Sequence, residues 1–85
     1  MTRNQEIRKE VLLQLYGMRP LSLSPYGMMR RARRAQFDFT EKEICAECEF
    51  LRGQGLAAAV EDPASGEIRY SITSRGVLEQ EKELL

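Results

Sequence analysis

Apolar residues recur along this chain with two periods, and the change from one to the other divides the sequence. Ile7, Val11 and Leu15 stand four apart and Met18 follows them, a spacing that predicts a first helix beginning near Thr2 or Asn4 and stopping at Gly17. Leu12, Leu13 and Tyr16 fall outside that stripe, so they need cover from the C-terminal helix or from a second subunit. In "RPLSLSPYG", Ser24 suits an N-cap and Pro25 the first helical position. The helix that follows is expected to reach about Gln36, with Met28, Ala32 and Ala35 facing inward. Thr40 and Glu43 are spaced as a capping box, which starts a third helix running to about Arg52. Ile44, Cys48 and Leu51 form its inner stripe, and Gly53 and Gly55 end it. Ahead of it, "QFDF" alternates apolar and polar residues, the pattern of a short strand.

Beyond Gly55 the period becomes two. Leu56 to Asp62 and Glu67 to Thr73 read as an antiparallel hairpin around the turn "PASG", where Pro63 and Gly66 supply the bend. Leu56, Ala58 and Val60 are expected on the inner face of the first strand, and Ile68, Tyr70 and Ile72 on that of the second. Thr73 or Ser74 can then cap a last helix carrying Val77, Leu78, Leu84 and Leu85. The predicted core is Ile7, Val11, Leu15, Met28, Ala32, Ile44, Cys48, Leu51, Leu56, Tyr70 and Ile72.

Composition narrows the class of protein. With 85 residues, 42% hydrophobic and 31% charged, the chain is expected to be one folded domain with a modest core and no deep cleft. No apolar run nears the roughly 20 residues that span a bilayer, and "MTRNQEIRKE" lacks a signal-type apolar stretch, so a cytoplasmic protein with no membrane partner is expected. Two cysteines without histidine fit a reducing compartment. "CAEC" has the C-x-x-C spacing, yet the chain offers no third cysteine and no histidine to complete a zinc site. Cys48 therefore reads as a small core residue, and neither metal nor cofactor is expected. No nucleophile, base and acid set can be assembled, so the chain is not read as an enzyme.

The zero net charge conceals an asymmetry. Residues 1 to 39 carry eight bases against three acids, and residues 40 to 85 carry five bases against ten acids, giving +5 and −5. The boundary falls in "MMRRARRAQFDFTEKEICAECEF", where Arg30, Arg31, Arg33 and Arg34 crowd one half and Glu41, Glu43, Glu47 and Glu49 the other. At 100° per residue Tyr26, Arg30, Arg33 and Arg34 fan over the face opposite Met28 and Ala32, with Arg31 flanking them. Planar guanidiniums bind phosphate in bidentate fashion, and Tyr26 can stack or donate. The competing reading is a solvated face whose arginines pair with Asp38 or with glutamates of the next helix.

The order of three helices, a hairpin and a helix resembles the winged-helix fold, an α+β class, over residues 1–85 as a single domain. The resemblance is most specific at "FLRGQGLAAAVEDPASGEIRYSITSRG", whose closing "YSITSRG" is similar to the last strand and capped helix of PadR-type and MarR-type transcriptional regulators. It implies a DNA-binding, transcription-regulator-like protein in which the third helix would present Thr40, Glu41, Lys42, Glu43, Ala46 and Glu49 to the groove, with a wing tip at Asp62 to Glu67. That surface is acidic and would repel phosphate. The candidate nucleic-acid contacts are accordingly Arg30, Arg31, Arg33, Arg34 and Tyr26, with Lys42 and Arg69 as the few bases near the reading face. The alternative is a protein-interaction winged helix whose basic helix meets an acidic protein partner. Leu12, Leu13, Tyr16, Phe50, Leu78, Leu84 and Leu85 are the candidate interface of a homodimer.

Overall fold

A computed structural model describes residues 1–84, arranged as α1 (Arg3–Gly17), α2 (Pro25–Arg34), α3 (Glu41–Gly53), β1 (Ala57–Glu61), β2 (Ile68–Ile72) and α4 (Ser74–Leu84). Thr2 is the N-cap of α1: its hydroxyl accepts from the Gln5 N–H at 3.2 Å, and its own N–H donates to Gln5 Oε1 at 2.9 Å. Thr40 and Glu43 make the same reciprocal pair at the start of α3, with both distances 3.1 Å. Ser24 caps α2 by accepting from the Gly27 N–H at 3.0 Å, with Pro25 in the first turn. Each cap satisfies N–H groups that have no partner inside the helix.

The helix ends explain where the chain turns. After α2 the Phe37 N–H donates to Ala32 O and the Gln36 N–H to Arg33 O, both at 3.0 Å, with Gln36 at φ 72°. After α3 the Leu56 N–H donates to Leu51 O at 2.9 Å and the Gly55 N–H to Arg52 O at 3.0 Å, with Gly55 at φ 75°. Both are Schellman closures, which need a left-handed residue just past the helix. Glycine meets that need without strain in the second; glutamine occupies it in the first. The closure ends α2 at Arg34, short of Gln36, and leaves Ala35 exposed.

"QFDF" is not a strand. Among the described residues no strand pairs with it, and its alternation instead stacks Phe37 on Phe39, with ring centroids 4.7 Å apart and planes 15° from parallel. Phe39, in the connector between α2 and α3, is buried in the core, with the Arg3 guanidinium carbon 5.4 Å from its ring centroid.

The hairpin pairs Ala57 with Ile72, Ala59 with Tyr70 and Glu61 with Ile68. Residues directly opposite share a face, so the inner side of β1 begins at Ala57, one residue out of phase with the expected Leu56, Ala58 and Val60. Leu56 is consumed by the α3 closure, which displaces the strand by one position; it and Ile72 are only partly buried against the core. Val60 is half exposed. Leu23, in the α1–α2 connector, bridges Tyr70 with N–H to O distances of 2.7 and 2.8 Å, adding a third short segment beside β2.

Thr73, one residue before Ser74, caps α4: its hydroxyl accepts from the Gly76 N–H at 3.0 Å and donates to Gly55 O at 2.7 Å. A Cβ on Gly76 would stand 2.1 Å from Leu56 O, so α4 can lie this close to the start of the hairpin only with glycine there. The core is Ile7, Val11, Leu12, Leu15, Leu23, Met28, Met29, Ala32, Phe39, Ile44, Cys48, Leu51, Ala57 and Tyr70. These elements form an α+β winged helix: three helices around one core, a C-terminal hairpin wing and a final helix. Among the described residues no helix is long and apolar enough to cross a membrane.

Candidate functional site

α2 is anchored by Met28, Met29 and Ala32, and this anchoring turns its arginines outward. Arg31, Arg33 and Arg34 lie in the last turn, where cations favour the negative end of the helix dipole. Tyr26, Arg30, Arg33 and Arg34 together line an open depression on one flank, and Gly27, Arg30, Arg31 and Arg34 line a smaller one on the other. Tyr26 is half exposed, and the Arg30 guanidinium carbon lies 5.9 Å from its ring centroid.

Apart from Glu41, the acids that follow this basic run in sequence are engaged elsewhere. Arg3, at the start of α1, grips Glu43 with Nε at 2.7 Å and Nη2 at 3.1 Å, and Nη1 reaches Asp38 at 3.1 Å. This guanidinium, with the Thr40 backbone N–H second, holds the Glu43 carboxyl well down, at about 2. Arg8, one turn further along α1, pairs with the buried Glu47 at 2.9 Å. Arg52 takes Glu49 at 2.7 Å, and Glu49 also accepts from the Tyr70 hydroxyl. These two donors, Arg52 first, lower the Glu49 carboxyl, while burial and then the bond to Glu49 raise the Tyr70 phenol. Among the described residues no ion pair involves Arg30, Arg31, Arg33 or Arg34, and none involves Glu41 or Lys42.

Three of the four glutamates on α3 are thus neutralised by arginines from α1 and from α3 itself. The sequence places them beside the basic run, but the fold gives them to Arg3, Arg8 and Arg52. The wing keeps its acidity, with Glu61, Asp62 and Glu67 around the turn. Arg69 is fastened to the connector: its Nε donates to Ser22 Oγ at 3.2 Å, its Nη2 to Ser22 O at 3.0 Å, and Nη1 lies 3.4 Å from Glu67. It ties the wing to the connector that leads into α2.

The expected interface strip is narrower than its spacing predicts. Leu12 is buried in this chain's own core, because α1 is covered on a wider face than the spacing-four stripe. Tyr16 is half-buried, with Arg19 stacked 3.9 Å over its ring and its hydroxyl 3.4 Å from Glu81 of α4. Phe50 is roofed by Arg8 at 3.9 Å. Leu13, Leu78 and Leu84 are exposed, and Leu85 lies outside the described residues. Cys48 is fully buried, which pushes its thiol up to about 12; Cys45 is partly buried and both thiols are free. Among the described residues, no three His, Cys, Asp or Glu side chains are placed to hold a metal ion. Glu47 as a buried acid and Leu23 as a strand partner escaped the sequence reading; the first carried a signal, since it shares a helical face with Ile44 and Leu51.

These features define a winged-helix domain whose densest cluster of unpaired positive charge sits on the second helix. The chain is similar to the solved crystal structure of SSV1 F-93, with a TM-score of 0.59 and 19% identity over 91% of this chain and 92% of that one. At that identity the likeness is one of fold. No family model and no curated protein matches the chain.

Proposed function

We propose that this domain binds nucleic acid, DNA in the first instance, through phosphate contacts from Arg30, Arg31, Arg33 and Arg34, with Lys42 at the exposed start of α3 as a further base. The reading is a binding role in the cytoplasm, akin to the PadR-type and MarR-type regulators that "YSITSRG" resembles, and not catalysis. The observation that carries it is the absence of any ion pair on the four α2 arginines among the described residues, while Asp38 and Glu43 are held by Arg3. Four like charges on one short helix repel each other, and a row of phosphates relieves that repulsion. Self-association through Leu13, Leu78 and Leu84 would set two such helices on one nucleic acid, and sedimentation reports it directly.

The test is a salt series on random-sequence duplex DNA with the wild type and an Arg30→Gln, Arg33→Gln, Arg34→Gln variant. The variant should bind all sequences more weakly and lose about one unit of salt slope per contact removed. Equal affinity of the two proteins at low salt would sink the proposal. The alternative, an adaptor that binds an acidic protein through α2, draws on the acidic wing and would then take its place.

A further inference from the structure

We infer that the nucleic acid this site prefers is single-stranded, with an unpaired base stacked on Tyr26 and its flanking phosphates held by Arg30, Arg33 and Arg34. The inference rests on the phosphate-binding reading above and narrows it.

The exposed aromatics of this chain are not equivalent. Arginines cover the rings of Tyr16 and Phe50 at 3.9 Å, whereas the guanidinium nearest Tyr26 stands off at 5.9 Å. Tyr26 is half exposed, and its ring lines a depression whose other walls are three arginines without ion pairs among the described residues. An aromatic platform set among cations that track a backbone is the arrangement by which proteins hold single strands, because every base has a π face to stack while a duplex keeps its bases inside.

The rest of the molecule points the same way. A duplex docked on α3 and the wing would meet Glu61, Asp62 and Glu67 near its phosphates, and Arg69 is already bound to Ser22. α3 offers only Lys42 as a free cation, beside the free Glu41. A strand held by the α2 face needs no contact with α3 or the wing turn. Nothing on α2 distinguishes a deoxyribose from a ribose, so the shared chemistry is an unpaired base on a phosphodiester chain.

The experiment measures fluorescence anisotropy at low salt with a labelled oligo-dT strand, an oligo-rU strand and a mixed-sequence duplex of equal length. It compares wild type, Tyr26→Phe, Tyr26→Ala and the triple arginine-to-glutamine variant, with circular dichroism confirming that each is folded. The wild type should favour the single strands. Loss of one stacked base should weaken Tyr26→Ala on them by about tenfold, leave its duplex affinity unchanged, and spare Tyr26→Phe. The triple variant should lose affinity for all three probes. Duplex preference in the wild type, or a Tyr26→Ala loss that is nil or equal on every probe, overturns the single-strand inference while leaving the arginine reading intact. An unaffected triple variant overturns both.

Discussion

The Arg8–Glu47 pair ties α1 to α3, the helix with four glutamates, and its removal can be worked out in advance. Glu47 is 7% exposed and lies 2.9 Å from an Arg8 side chain that is 32% exposed. Breaking a buried pair from one side costs about 3–5 kcal/mol and breaking an exposed one under about 1; with one member buried and the other partly screened, Arg8→Met should cost about 2 kcal/mol. The lost cation–π contact with Phe50 adds roughly 0.5–1. In a domain of this size each kcal/mol moves the melting temperature by about 4–8 °C, so thermal denaturation should show a drop on the order of 10–20 °C. The effect should be asymmetric. Glu47→Met leaves Arg8 free to turn to solvent and should cost clearly less, and Arg8→Met with Glu47→Met should recover most of the loss, because it removes the stranded charge. A double variant as unstable as Arg8→Met alone, or equal losses from the two single changes, would refute the claim that a buried carboxylate is what Arg8 protects.

Two further outcomes follow from the helix ends and the second clasp. Gln36→Gly should raise the melting temperature by a few degrees, since φ 72° costs an L side chain about 1–2 kcal/mol that glycine avoids, less about 0.5–1 for its greater freedom when unfolded; no change or a decrease in a thermal scan would show that the closure is not strained. For Glu43, the folded carboxyl titrates near 2 against 4.5 in the ordinary state, so its stabilisation is complete above about pH 5 and is lost as the pH falls toward 2. Glu43→Gln keeps an acceptor for the cap and should flatten that acid limb of a stability profile; an unchanged limb would assign acid sensitivity to other groups.

Local signals made most of this fold readable. The capping box at Thr40, the Ser24–Pro25 start and the glycine stop at Gly55 are short-range chemistry, and the structure reproduces each; of the two expected starts for the first helix, Thr2 and Asn4, it takes Thr2. Errors came where an adjoining closure or a distant element decides. The inner face of β1 slipped by one residue because the Schellman closure claims Leu56, and "QFDF" became an aromatic stack because no strand is available to pair with it. Leu23 carries no strand signal of its own and is ordered by Tyr70, far along the chain. The site divides in the same way. The arginine face was visible from helical spacing, whereas the destination of the glutamates was not, because Arg3 and Arg8 reach them from an element about 40 residues earlier.

That rerouting of charge decides how strongly the domain can hold a polyanion. Were the α2 arginines paired with α3, as their adjacency in sequence suggests, the domain would have little free positive charge and its dipolar sequence would cancel on folding. Instead Arg3, Arg8 and Arg52 absorb Glu43, Glu47 and Glu49, and the four arginines of α2 keep their positive charge together on one helix. The four arginines of α2 can hold about four phosphates per copy, with Lys42 the one unpaired base that α3 adds, and each phosphate contributes about 0.9 to the salt slope on duplex and about 0.7 on a single strand. A slope near 3 to 4 per bound copy therefore fits α2 acting alone. A slope about twice that for each binding event, with two chains per nucleic acid, would mean that paired copies present both arginine helices together, and the exposed leucines of α1 and α4 would be the place to look for their contact.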